Sequence, residues 1–195
     1  GNGGIGFTGS YDGGGYTING LYINNTVPDF VGMFGLIGFS GVVKNIRLVN
    51  VNITGRSYTG GLAGFNRGTI TVCYSTGSVS GGSVGGLAGG NTDGTINGSY
   101  STCSVSSSSK AGGLVGINDI GTISNSYSTG SVNGILVGGL VGENGTGPAS
   151  GTITNSYSTG SVSGSSIYVG GLVGYGEPSD VTNSFWDTET SGQSS

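Results

Sequence analysis

One stretch of this chain is written several times over. GTISNSYSTGSVNG at residues 121–134 returns as GTITNSYSTGSVSG at 151–164 and, with changes, as GTITVCYSTGSVSG at 68–81. The leucine of a recurring GGLxG falls at Leu62, Leu87, Leu114, Leu140 and Leu172, at intervals of 25, 27, 26 and 32 residues. An earlier variant, VGMFG, puts Met33 in the same slot, 29 residues before Leu62. A period of this size marks stacked repeats, because one unit is too small to bury its own apolar face and needs a copy above and below it. The long last interval contains GTGPAS at 145–150, inserted where shorter copies turn directly into GTI, so the extra residues read as a loop on one side.

Within a copy, glycine separates short extended pieces. In GTISNSYS, Ile123, Asn125 and Tyr127 alternate with Ser124, Ser126 and Ser128, the period of two expected of a strand with one buried face. The alternation breaks at Thr129 and Gly130, Val132 opens a second piece, and VGGLVG reads as a third, its paired glycines permitting a bulge or tight bend. No apolar stripe recurs at helical spacing, and β-branched residues, Ser and Gly dominate. The expected fold is all-β: a parallel β-helix, or β-solenoid, with about 26 residues and three short strands per rung, right-handed by the general rule for parallel crossovers. One such domain covers 1–195, with divergent rungs in 1–57, regular repeats in 58–176 and a final rung or cap in 177–195.

Coiling lays equivalent residues over one another at about 4.8 Å. The expected interior ladders are Leu62, Leu87, Leu114, Leu140 and Leu172; Ile70, Ile96, Ile123, Ile153 and Val181; and Val79, Val105, Val132 and Val162. Tyr74, Tyr100, Tyr127, Tyr157 and Phe185 lie four positions beyond the isoleucines and share their parity, which predicts a buried aromatic stack. Asn66, Asn91, Asn118 and Asn144 each follow the GGL leucine by four residues, where an amide can bond the backbone and its counterpart in the next rung. Asn45, Asn125, Asn155 and Asn183 form a second asparagine set with the same structural reading. Serine and threonine are expected on a solvated outer face.

These residues resemble GLUG-motif repeats, named for the glycine-leucine-any-glycine signature present here as GLAG, GLAG, GLVG, GLVG and GLVG. The resemblance extends to the lead-in FTGSYDGGGYTINGLYINN at 7–25 and the close SFWDTETSGQSS at 184–195. It implies a non-catalytic region of a large secreted or surface protein of bacteria or archaea, adhesin-like or haemagglutinin-like, with this chain part of a longer precursor.

Composition narrows the chemistry. A net charge of -4 with 7% charged residues gives no electrostatic grip on phosphates. There is no histidine for acid–base work near neutrality, and the basic residues are only Lys44, Arg47, Arg56, Arg67 and Lys110. The acids are scattered, so no catalytic residues are assigned and no enzyme is expected. Asp93, Asp119 and Glu143 fall near the asparagine ladder, where a weak calcium site is conceivable; otherwise neither metal nor cofactor is expected. Cys73 and Cys103 occupy different columns and are expected as free thiols.

The expected function is therefore an extracellular or cell-surface structural protein. It is either a rigid rod joined to flanking domains or a subunit stacking head to tail with its own copies into a fibre. Two binding alternatives stand beside it. One is ice binding through a hydroxyl array of Thr76, Thr102, Thr129, Thr159 and Thr188 beside Ser75, Ser101, Ser128 and Ser158. The other is carbohydrate or receptor binding through Tyr11, Tyr16, Tyr22, Phe30, Phe39, Tyr58, Tyr168 and Tyr175.

Overall fold

The computed structural model describes residues 5–145, 148, 150–177 and 180–194. Three parallel sheets wind around one axis. An isoleucine sheet runs through Ser10–Asp12, Val42–Lys44, Thr69–Thr71, Thr95–Asn97, Thr122–Ser124, Thr152–Thr154 and Val181–Thr182. An asparagine sheet runs through Phe34–Ile37, Ala63–Asn66, Ala88–Thr92, Val115–Asp119, Val141–Asn144 and Val173–Gly176. The other 15 strands form a tyrosine sheet. The fold is a β-solenoid, and consecutive strands of the isoleucine sheet bracket its coils. Of the expected features, Thr146, Gly147 and Ala149 of the insertion, Gly1–Gly4 of the divergent start, and Pro178, Ser179 and Ser195 of the final rung lie outside the described residues.

Register follows the repeat. Ile70 pairs with Ile96, Ile96 with Ile123, Ile123 with Ile153 and Ile153 with Val181. The four isoleucines are fully buried, each contributing about 1.5–3 kcal/mol of apolar transfer. Val79, Val105, Val132 and Val162 stack likewise in the tyrosine sheet and are buried. The GGL leucines are not in a strand. They form the corner between the tyrosine and asparagine sheets, where Leu62 N donates to Leu87 O at 2.9 Å, Leu87 N to Leu114 O at 3.0 Å, and Leu114 N to Leu140 O at 2.9 Å. The tyrosine sheet is itself broken, one coil contributing Tyr127–Ser128, Val132–Gly134 and Leu136–Gly138, so a coil has more strand pieces than the three expected.

The aromatic ladder departs from expectation. Its rings are stacked, with centroids 4.6, 4.7, 4.9 and 5.4 Å apart from Tyr74 to Phe185, but they lie on the outer surface. The tyrosines are half-buried and Phe185 is 60% exposed. The cause is the residue between the isoleucine and the tyrosine. Asn125 adopts φ 51° and Asn155 φ 48°, left-handed backbone that asparagine tolerates better than most residues. This corner shifts the inward parity by one: Ile123 points in, then Ser126 and Ser128 point in, and Tyr127 points out. Asn45 and Asn183 turn the same corner at φ 55° and 48°.

Serine therefore fills the interior it was expected to leave. Ser99, Ser126 and Ser156 are buried in one column, each accepting a backbone N–H from the coil above and donating to a carbonyl of its own coil. Ser75, Ser101, Ser128 and Ser158 form a second buried column. It packs against the GGL corner so closely that a Cβ on Gly113 would collide with Ser128 Oγ and the Gly139 carbonyl. Nearer the N-terminus the same two columns hold Ile46 and Leu48, both buried, so these two columns change from large and apolar to small and polar along the axis.

Candidate functional site

The asparagine ladder is internal. Asn66 Nδ2 donates to Asn91 Oδ1, Asn91 to Asn118 and Asn118 to Asn144, each at 2.7 Å, and all four residues are fully buried. Each amide also donates to a carbonyl in its own turn, at Gly68, Gly94, Gly121 and Gly151. Saturated in this way, the ladder holds the asparagine sheet to the next turn and offers nothing to a ligand.

The three acids beside it do not converge. Thr92 pairs with Asp119 and Ile117 with Glu143, so Asp93, Asp119 and Glu143 stand in three different columns. Asp93 is bridged to Arg67 at 3.4 Å and Glu143 to Lys110 at 2.8 Å. Burial, and then the nearby Glu143 carboxylate, push the Asp119 carboxyl above its ordinary value, against the opposing pull of Lys110. Among the described residues no group of three or more His, Cys, Asp or Glu side chains is placed to hold a metal ion. Both thiols are free and buried. Cys73 tops the first serine column, donating from Sγ to Thr71 O at 3.3 Å, and burial pushes its pKa to about 11; burial likewise raises that of Cys103.

The expected hydroxyl array is assembled only in part: register stacks Thr76, Thr102, Thr129 and Thr159 in one outward column. Its serines are buried, as described, and register places Asp187 rather than Thr188 beneath Thr159. Thr188 instead opens a helix, α1 (Thr188–Ser191), capped by Asp187. A second outward threonine column, Thr69, Thr95, Thr122 and Thr152, runs along the isoleucine sheet. The TI pairs of each GTI motif could have revealed them.

Several scattered aromatics do converge, on a seam where the outer edges of the tyrosine and asparagine sheets meet beyond the GGL corner. Register stacks Phe30 on Tyr58, Tyr58 on Ser83, Ser83 on Lys110 and Lys110 on Leu136 along one side. On the other side it stacks Phe65 on Gly90, Gly90 on Ile117, Ile117 on Glu143 and Glu143 on Tyr175. Partners meet across the seam. Phe30 and Tyr58 each lie 5.1 or 5.7 Å from a ring of the same cluster, Tyr58 against Phe65 at 5.1 Å, and Tyr168 lies against Tyr175 at 4.8 Å. Between these aromatic groups the Lys110–Glu143 pair closes the seam. Tyr11, Tyr16, Tyr22 and Phe39 are exposed elsewhere, in the first coils.

Comparison with known proteins bears on the repeat. The model of the GLUG motif matches residues 107–133 and 133–163. Over 73 residues, 37% of this chain, the sequence is 42% identical to halomucin of Haloquadratum walsbyi, and the match spans 1% of that protein. Over 67 residues, 33% of this chain, it is 40% identical to a protein of Evansella cellulosilytica provisionally described as a Gly-rich membrane protein, spanning 8% of its length. The fold is similar to the crystal structure, at 1.30 Å, of a chain from Bacteroides ovatus provisionally described as an immunoglobulin A1 protease. The TM-score is 0.60 at 24% identity, covering 89% of this chain and 61% of that one, a likeness of fold alone. Two adjacent repeats of this β-solenoid, residues 107–163, are thus matched by the GLUG motif, and the same ladders run on through the neighbouring coils.

Proposed function

We propose that this chain is a non-catalytic, extracellular rod within a larger cell-surface protein, holding flanking domains apart. The observation that carries the reading is the unbroken asparagine ladder with the leucine-corner hydrogen bonds beside it. From Asn66 to Asn144 each coil is fastened to the next by both the amide ladder and the corner, which suits a spacer that must resist bending and proteolysis. The scattered acids, with Asp93 and Glu143 held in ion pairs, and the absence of histidine support a non-catalytic role. The names of two relatives, halomucin and a Gly-rich membrane protein, support a place at the cell surface. No helix among the described residues is long and apolar enough to cross a membrane.

Head-to-tail stacking of copies is the second reading. It is favoured by a cavity of about 500 Å³ at the last coil, lined by Leu172, Val173, Val181 and Trp186 among others. Against it, the C-terminal segment already covers part of that end. Thr190 Oγ1 donates to Thr159 O at 2.7 Å and Gln193 Nε2 to Val162 O at 3.4 Å, occupying strand-edge carbonyls. Small-angle X-ray scattering over a concentration series separates the two. The rod reading expects one stiff particle whose length stays constant, rising about 4.8 Å per coil. A length that grows with concentration supports stacking, and a flexible-chain profile defeats both.

A further inference from the structure

The positions that hold the coils together repeat in each regular copy: leucine at the corner, asparagine, interior serine, isoleucine. The seam does not. Across successive coils it carries Tyr58 with Phe65, then Ser83 with Gly90, Lys110 with Ile117, Leu136 with Glu143, and Tyr168 with Tyr175. Residues that change from one coil to the next on an otherwise constant scaffold are under no common packing demand, as expected of a surface shaped for recognition.

The lower three coils of the seam have the composition of a sugar site. Tyr168 and Tyr175 meet at 62° with centroids 4.8 Å apart, and they are 43% and 40% exposed. Neither phenol hydroxyl has a protein partner among the described residues, although each is free to donate and accept. Glu143 stands directly above Tyr175 in parallel register, and Leu136 above Tyr168. One coil higher, Lys110 reaches Glu143 at 2.8 Å, with the two side chains 30% and 21% exposed, and Ile117 backs the pair. A half-desolvated carboxylate and ammonium, held in place by each other, form stronger hydrogen bonds to hydroxyls than neutral groups do. The tilted tyrosine rings offer a π-face whose negative quadrupole attracts the polarised C–H face of a pyranose ring. A few placed polar groups against an aromatic wall are the usual make-up of a small-molecule site.

We propose that the seam formed by Lys110, Leu136, Glu143, Tyr168 and Tyr175 binds a saccharide, a neutral hexose or N-acetylhexosamine unit stacked on the tyrosine pair and hydrogen-bonded to the lysine–glutamate pair. Uronic and sialic acids are disfavoured, because Glu143 and the neighbouring Asp119 outnumber Lys110 and leave the site acidic.

The purified chain is applied to an immobilised array of neutral, N-acetylated and acidic oligosaccharides, and the strongest ligand is then titrated by calorimetry. Retention on neutral or N-acetylated glycans is expected, weakened about tenfold or more in Tyr175→Ala and about tenfold in Glu143→Gln. Tyr157→Phe, on the remote aromatic ladder, should bind as the parent does. Thermal unfolding of each variant distinguishes loss of the site from loss of the fold. Retention of no glycan, retention of acidic glycans only, or binding unchanged in both Tyr175→Ala and Glu143→Gln overturns the proposal. None of these results bears on the rod, whose scattering is measured separately.

Discussion

Trp186 lies directly beneath Ser158 in parallel register, so the last coil ends with an indole in the column that serine fills in the coils above. A Cβ on Gly171 would strike the indole ring, which fits beneath the corner because glycine leaves room there. Its Nε1 donates to Gln193 O at 3.3 Å, linking the ring to the segment after α1. The arrangement closes part of the core that an open solenoid end would expose to water.

Trp186→Ser restores the repeat residue and removes this closure. The expected outcome is local. Amide exchange should quicken over Val181–Trp186 and α1, while the Leu87 to Leu140 coils keep their protection. The cost is roughly 2 kcal/mol, less than the about 3–5 kcal/mol of a fully buried aromatic because Trp186 is only partly buried. Loss of protection throughout the chain would mean that the coils unfold as one unit.

The asparagine ladder predicts a different pattern. Asn118 accepts from Asn91 and donates to Asn144, both at 2.7 Å. Asn118→Ala orphans a donor above and an acceptor below in a fully buried column. Each orphan costs about 1–3 kcal/mol. Asn144 has one ladder neighbour, and Gly176 lies below it, so Asn144→Ala should cost less. Chemical denaturation of the two variants checks the order.

How much of this was legible depends on what each residue type must do. The isoleucine, leucine and asparagine ladders were readable because one residue recurs at one spacing, and stacking places like on like. The side on which the tyrosines lie was not readable. Alternation carries Ile123 to Tyr127 on one face, and only the left-handed backbone at Asn125 breaks it; asparagine signals that conformation weakly, because it also occurs in ordinary turns. The buried serines were missed for the same reason, since one shift of parity decides both. The seam was invisible because its partners, such as Lys110 and Glu143 or Tyr58 and Phe65, are joined by the GGL corner and not by any repeated pattern.

The asparagine corner between the isoleucine and tyrosine sheets marks a position where the sequence works against its fold. In successive coils it is turned by Asn45, Val72, Gly98, Asn125 and Asn155, all at positive φ. Val72 is the exception in chemistry: a β-branched residue at φ 53° and 56% exposed. Left-handed backbone costs an L-residue with a Cβ roughly 1–2 kcal/mol, and burial at this site returns little of it. Val72→Asn should stabilise the chain by about 1 kcal/mol, and Val72→Gly by less, because glycine also gains freedom in the unfolded state. Thermal unfolding checks the sign. A lower melting temperature for Val72→Asn would mean that the valine side chain makes contacts worth more than the strain.

Asp119 supplies a dependence on pH. Burial and the Glu143 carboxylate raise its folded pKa above the ordinary 3.8, so between that value and the raised one the folded chain holds a proton that the unfolded chain has released. Stability must then fall as pH climbs through this window, and the loss is complete above the folded pKa. This is opposite in sign to the effect of an acid whose pKa is lowered by a salt bridge. Asp119→Asn removes the titration. Stability of the variant should therefore exceed that of the parent at neutral pH and converge on it in acid, with the slope across the window reduced. Denaturation at a series of pH values in both chains measures the difference. A parent chain that gains stability with rising pH over that range, with the gain lost in Asp119→Asn, would show that Lys110 outweighs both the burial and Glu143.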